Sequence, residues 1–329
     1  MTVATLERGD SMDGSKLSFA QLREQVFRLY GQQRWQDALA LVEREGAHFD
    51  QPAQAARVVF WRACFLCLLD RADDGMAALQ HGLARGLWWA ELSLRGDPDL
   101  RSLQGRADLE ALIAKCNRRR QAAQAGVKTS RLIAEPDSSV EPPYPLLLAL
   151  HGYGSNAVEM LAVCAPLAER GWLVAALQSS QLAGMDGYHW VDEAQARRDV
   201  QEHLDALSAL YQLDPARLTV AGFSNGARIA LMLTLTGAIP ARAAVSIGSS
   251  VRDETLAALD WDAIRAADPR LLLIVGDLDQ PVLARMTPQV ARFQDSGLQV
   301  DLQIVPGLGH TVPDDFIERL WAWLQRPLP

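Results

Sequence analysis

The sequence predicts an α/β protein in two parts: an all-α helical-repeat segment over residues 17–124, then residues 125–329 folded as a mostly parallel sheet covered by helices on both faces. Three observations predict it. Apolar residues recur at three- and four-residue intervals from Phe19 to about Arg120, with no strand-like alternation. After Tyr144, short apolar runs alternate with amphipathic helical stretches. Those runs are continuous rather than period-two, as in strands buried on both faces of a parallel sheet.

At 329 residues the chain is long enough to bury two cores. Hydrophobic residues make up 49% and charged residues 22%, a globular balance that excludes a disordered chain or a coiled coil. A net charge of −8 provides no broad positive field, which excludes non-specific nucleic-acid binding. The opening MTVATLERGDSMDGS carries acidic residues and no apolar h-region, and residues 1–16 are expected to form a flexible N-terminus. No later segment offers the roughly 18 consecutive apolar residues needed to cross a membrane, so the expectation is a cytoplasmic protein with no membrane span. Cys64, Cys67, Cys116 and Cys164 are too few and scattered for a disulfide framework. Cys64 and Cys67 spell Cys-x-x-Cys within VVFWRACFLCLL, where apolar neighbours at helical spacing predict core packing rather than a metal site.

The helical part reads as AQLREQVFRLY, WQDALALVERE, VVFWRACFLCLL and DGMAALQHGLA. The segment GQQRWQDALALVE returns as LDRADDGMAALQHGL, aligning Ala38 with Gly75 at an offset of about 37 residues, near the ~34-residue period of helix-turn-helix repeats. This resembles tetratricopeptide repeats, with Asp97–Lys115 as a third, capping stretch. Two units stabilise each other weakly, so the array is expected to pack on the α/β part. Arg118, Arg119 and Arg120 complement the dipole of a helix end and receive no function.

Residues 126–145 combine Pro, Ser and Asp around one strand candidate, Ser130–Ala134, as suits a linker feeding an edge strand. Buried strands are expected at 145–150, 172–177, 217–222, 243–248, 271–276 and 300–305. Helices are expected at Ala157–Glu169, Ala194–Tyr211, Gly226–Leu235, Pro281–Phe293 and Asp314–Leu324. In such a sheet the reactive groups gather at the carboxyl ends of the strands.

Gly222-Phe223-Ser224-Asn225-Gly226 directly follows one strand and opens a helix. A serine on so tight a turn exposes its Oγ, and the small residues two before and two after it let strand and helix approach. Serine is a weak nucleophile at neutral pH, so Ser224 needs an imidazole and an orienting carboxylate. His310, in Pro306-Gly307-Leu308-Gly309-His310, is the only histidine after Ser224. Asp277 and Asp279 both lie on the turn after LLLIVG, and spacing alone leaves either as the acid. Leu150-His151-Gly152-Tyr153-Gly154 follows the first long apolar strand. Acyl transfer passes through an oxyanion best held by preset backbone N–H groups, for which Tyr153 and Asn225 are the expected pair. The positive end of the helix dipole at Asn225 favours the same charge.

Gly-Phe-Ser-Asn-Gly, His-Gly-Tyr-Gly, Gly-x-x-Asp-x-Pro-Val and Gly-x-Gly-His, in this order over residues from about 128 to 329, resemble the α/β-hydrolase superfamily and its carboxylesterase and lysophospholipase-like branch. The resemblance implies that the acid is the Asp three residues after the glycine, which is Asp279 here, with Asp277 the alternative. It also implies Tyr153 and Asn225 as the oxyanion donors. The sequence departs from the branch in having Asn225 where Gln is frequent, and Ala227 in place of a second glycine. The implied activity is hydrolysis of small or medium acyl esters through an acyl-enzyme, which requires no metal or organic cofactor. A thioester, lysophospholipid or peptide substrate would use the same residues.

About 20 residues separate the strand near Gly248 from the one at Leu271, too few for an inserted cap domain. Tyr188 and Trp190, in the loop Gln178–Asp192, are therefore expected to line the substrate pocket, with His189 beside them. The Trp88–Trp89 region of the helical array is a second candidate for sheltering the entrance. The competing function is a scaffold whose repeats bind a protein partner or a second copy while the hydrolase fold stays inert. Expected partners are thus a small-molecule ester and, through the repeats, a protein or homo-oligomer contact.

Overall fold

The structure, a computed structural model, describes residues 16–185 and 187–326. Apart from Lys16, the N-terminal segment expected to be flexible lies outside the described residues. The chain divides into two compact units, one up to Asn117 and one from Arg118 onward.

The first unit is helical: α1 (Phe19–Gly31), α2 (Trp35–Glu45), α3 (Pro52–Leu68), α4 (Ala72–Ala84), α5 (Glu91–Gly96) and most of α6 (Ala107–Gln124). Ser18 and Gln21 form a reciprocal capping box that starts α1. Pro52 begins α3, where its missing N–H costs nothing. Leu22 and Val26 of α1 meet Leu39 and Val42 of α2 and Phe65 and Leu66 of α3 in one core, as their helical spacing requires. The turns α1–α2 and α3–α4 repeat in detail. Gln33 and Asp70 both take positive φ, at 55° and 60°. Arg34 N–H then donates to Leu29 O, and Arg71 N–H to Leu66 O. Each arginine also pairs with the aspartate three residues on, Asp37 or Asp74. Cys64, Cys67 and Cys116 are buried in this unit and form no disulfide. Trp88 and Trp89, expected to shelter an entrance, are each only 6% exposed. They are core residues, and Trp89 Nε1–H donates to Ala56 O.

The second unit runs β1 (Ser130–Ala134), β2 (Tyr144–Leu150), α7 (Ala157–Cys164), β3 (Leu173–Gln178), β4 (Gln181–Leu182), β5 (Tyr188–His189), α8 (Glu193–Leu210), β6 (Leu213–Phe223), α9 (Asn225–Leu235), β7 (Ala243–Ile247), α10 (Asp253–Ala257), α11 (Trp261–Ala267), β8 (Arg270–Gly276), α12 (Gln280–Asp295), β9 (Val300–Val305) and α13 (Phe316–Leu324). Seven strands pair in the order β1-β3-β2-β6-β7-β8-β9. All pairings are parallel except that of the edge strand β1 with β3. Alternation along β2 decides the two cores. Leu147 and Ala149 face α7 and α13, with Met160, Phe316 and Trp323. Leu146, Leu148 and Leu150 face α8 and α9, with Val200, Leu204, Ile229 and Leu233.

Several local expectations change. The helix expected over Ala157–Glu169 ends at Cys164 and continues as a 3₁₀ turn over Ala165–Arg170, because Pro166 supplies no backbone N–H. The strand 300–305, expected to be buried, is β9 at the sheet edge. It is mostly half-buried, and Asp301 on it receives the Trp323 indole N–H at 2.6 Å. The short gap before β8 holds α10 and α11, which the sequence pattern did not reveal.

Candidate active site

β2 neighbours both β3 and β6, so the chain leaves it in one direction and returns on the other side. This reversal opens a crevice at the carboxyl ends of β2 and β6, where open α/β sheets place their sites.

Ser224 sits at the end of β6 with φ 50° and ψ −112°, a strained conformation held by its neighbours. Its N–H donates to Ile247 O at 2.8 Å, tying the turn to β7. A Cβ on Gly222 would lie 2.4 Å from the Gly226 carbonyl carbon, and one on Gly226 would lie 2.5 Å from the carbonyl oxygens of Leu150 and His151. Glycine is therefore required at both positions, and the strand, the turn and the start of α9 pack at backbone distance.

Ser224 Oγ lies 2.9 Å from His310 Nε2, and His310 Nδ1 lies 2.6 Å from Asp279 Oδ2. A carboxylate only accepts, so Nδ1 carries the proton and Nε2 is left to accept from the serine hydroxyl. Asp279 is 8% exposed by its side chain, whereas that of His310 is 45% exposed. Asp277 is engaged elsewhere. Its Oδ1 accepts the Gly307 N–H at 2.7 Å and secures the loop that returns His310. The face of His310 rests against Phe223, ring centroids 5.1 Å apart.

The loop after β2 begins with His151, which is fully buried. Burial lowers its pKa to about 4 and keeps the ring neutral. Its tautomer follows from its partners. Ser179 N–H can only donate, and it points at Nε2 from 3.3 Å. Nδ1 must then carry the proton, and it donates to Gly152 O at 2.8 Å. Carbonyl and N–H of one trans peptide point in opposite directions, so the Tyr153 N–H of that same peptide is turned away from His151. Asn225 begins α9, where the first backbone N–H groups have no partner within the helix.

Tyr188 and Trp190 belong to a strap that runs along this loop. Gly154 N–H donates to Tyr188 O and Tyr188 N–H to Ser155 O, at 2.8 and 2.9 Å. The ring of His189 stacks on Tyr153, with centroids 5.5 Å apart and planes 10° from parallel. Burial, followed by the charge of Arg120, lowers the His189 pKa to about 4. Trp190 does not face the crevice: it is 0% exposed, and its indole N–H donates to His151 O at 3.0 Å. Sequence patterns placed His151 only within its motif, Asp277 only as an alternative acid and His189 only beside the pocket, because the contacts that fix them come from distant parts of the chain; Arg228, which donates to Trp190 O and pairs with Glu193, carried no signal. Among the described residues, one group of three metal-capable donors lies close together, Cys64, Asp97 and Asp99 in the helical unit.

No protein-family model and no curated protein matches the sequence. Solved structures do match. An uncharacterized protein from Bacillus cereus ATCC 10987 aligns at 19% identity and TM-score 0.51, over 94% of this chain and 98% of its own. Esterase PE8 aligns at 24% identity and TM-score 0.50, over 60% of this chain and 99% of its own. The sheet order, the covering helices and these likenesses together establish that the unit from Arg118 onward has the α/β-hydrolase fold.

Proposed function

We propose that the protein is a serine hydrolase that cleaves carboxylic esters through an acyl-enzyme. The observation that carries this reading is the unbroken line from Asp279 Oδ2 through the His310 ring to Ser224 Oγ, with steps of 2.6 and 2.9 Å. In the proposed cycle His310 Nε2 takes the hydroxyl proton as Ser224 Oγ attacks the ester carbonyl, and Asp279 stabilises the imidazolium that forms. The carbonyl oxygen becomes an oxyanion between the N–H groups of Tyr153 and Asn225. As that intermediate collapses, the alcohol leaves with the proton from His310. Water then enters and attacks the acyl group as it gives a proton to the same imidazole, and the second intermediate collapses to the carboxylic acid as His310 returns that proton to Ser224 Oγ. Electrons and protons balance without a metal or organic cofactor.

The name of esterase PE8, which shares the fold, supports an ester as the bond cleaved. Thioesters, lysophospholipids and peptides remain substrates of the same chemistry. The Tyr153–His189 stack supports an apolar wall for the acyl or alcohol group, beside Tyr188. In the helical unit, the repeated turns at Gln33 and Asp70 support a tetratricopeptide-like hairpin pair, with a protein partner or a second copy as its ligand.

The deciding experiment is hydrolysis of short-chain p-nitrophenyl esters by the wild type and Ser224→Ala, together with fluorophosphonate labelling and peptide mapping. Ser224→Ala should lose at least about 10³-fold in kcat, and the label should map to Ser224. Activity that survives in Ser224→Ala would overturn the assignment.

A further inference from the structure

An oxyanion hole made from two chain segments works only if their amides keep a fixed separation, because a donor displaced by about 1 Å can cost about 10²-fold in rate. Here one amide follows β2 and the other follows β6. Sheet pairing controls the two strands only as far as Leu150 opposite Gly222. Beyond that point both segments leave the ladder, and something else must hold Tyr153 relative to Asn225.

The residue between them is Trp190. Its backbone N–H donates to the side-chain Oδ1 of Asn225 at 2.5 Å. Its carbonyl accepts from Arg228 Nη2, one turn further along α9, at 3.2 Å. Its indole N–H donates to His151 O at 3.0 Å, and its ring lies 5.0 Å from the His151 ring. His151 in turn fixes the Gly152 carbonyl, and with it the direction of the Tyr153 N–H. A chain of hydrogen bonds thus runs from the Asn225 side chain through Trp190 and His151 to the peptide that carries the other donor. Arg228 is 9% exposed, pairs with Glu193, and holds the peptide that follows Trp190 through its carbonyl.

We infer that the Asn225 side chain and Trp190 form a clasp that sets the separation of the two oxyanion donors, so that Asn225 acts twice: its backbone N–H on the reacting oxygen and its side chain on the spacing of the hole. Trp190 is a positioning residue and does not touch substrate. The inference rests on the serine-hydrolase reading. It assigns a purpose to a buried tryptophan that the sequence suggested for the pocket, and to an asparagine where the resembling branch often carries glutamine. One more methylene at that position would push the amide about 1.5 Å into the Trp190 backbone.

The test uses the full chain with Asn225→Ala, which keeps the backbone donor and removes the clasp, and Trp190→Phe, which keeps an aromatic ring and removes the indole N–H. For a p-nitrophenyl ester, kcat should fall about 10- to 100-fold in each variant while KM stays within about twofold. Affinity for a trifluoromethyl ketone, whose serine adduct carries the oxyanion, should fall in parallel with kcat. A merely structural role would lower the melting temperature and leave that split unmoved. The double variant should lose little more than the worse single one, as expected for two parts of one device. If Trp190→Phe does not fold, Asn225→Ala carries the test alone. Folded variants with wild-type kcat and ketone affinity, or with losses in KM only, would overturn the clasp. A wild type that hydrolyses no ester and forms no ketone adduct would instead overturn the serine-hydrolase reading, and the clasp with it.

Discussion

Asp279 and His310 are joined at 2.6 Å, while Asp277, two residues earlier on the same turn, is spent on the Gly307 N–H at 2.7 Å. The two carboxylates therefore divide between the imidazole and the loop that delivers it. Under the proposed mechanism Asp279→Asn should lower kcat by about 10⁴-fold, because an amide can donate to Nδ1 and hold the ring in the wrong tautomer as easily as it orients the right one. Asp277→Ala should keep most of the activity and lose about 1–2 kcal/mol of stability with the Gly307 contact. Steady-state kinetics and urea unfolding of both variants separate the two parts. Equal losses of activity would refute the division.

Gly248 takes φ 65°, and a Cβ there would meet His310 Cε1 and Nδ1 at 3.3 Å each. Gly248→Ala should both strain the turn, at about 1–2 kcal/mol, and press the imidazole away from Ser224. The expected result is a lower melting temperature with a kcat loss of about 10-fold or more. Calorimetry and p-nitrophenyl ester turnover check the pair, and unchanged kcat would show that the ring is not held from this side.

Burial lowers the His151 pKa from 6.5 to about 4. Above about pH 6.5 the ring is neutral folded and unfolded, and its full contribution to stability is present. As pH falls from about 6.5 toward 4, the unfolded chain gains a proton that the folded one does not, so stability drops by up to about 1.4 kcal/mol per pH unit for this one group. His189 and His203, both lowered to about 4 chiefly by burial, act in the same direction. Urea unfolding from pH 7 to pH 4 should show this decline, and His151→Gln should make it shallower by up to one proton. A wild-type profile that is flat over that range would contradict the burial argument.

Gln33 and Asp70 hold positive φ at equivalent turns of the helical unit without being glycine. Gln33→Gly should relieve that conformation and raise stability by about 0.5–1 kcal/mol, net of the extra freedom glycine gives the unfolded chain. The urea midpoint of the helical transition reads it. A lower midpoint would mean that the Gln33 side chain contributes more than its backbone costs.

Local chemistry made much of this legible in one dimension. The continuous apolar runs of β2, β3, β7 and β8 announce buried parallel strands, because a strand covered on both faces favours apolar residues at successive positions rather than at alternate ones. Gly222 and Gly226 flank Ser224 since only glycine fits within 2.5 Å of a neighbouring backbone. Folding decided what depends on distant partners. Whether Asp277 or Asp279 meets His310 turns on how the loop after β9 packs over the turn after β8, and nothing in the spacing of the two aspartates encodes it. Trp190 looks from its neighbours like an exposed loop aromatic. It is buried because His151, Asn225 and Arg228, from two other stretches of chain, take both its backbone groups and its indole N–H. The sequence determined which groups can react and in what order they occur, through propensities that act over a few residues. Only the tertiary structure decided which of them touch, because burial and hydrogen bonding join residues that the chain keeps apart.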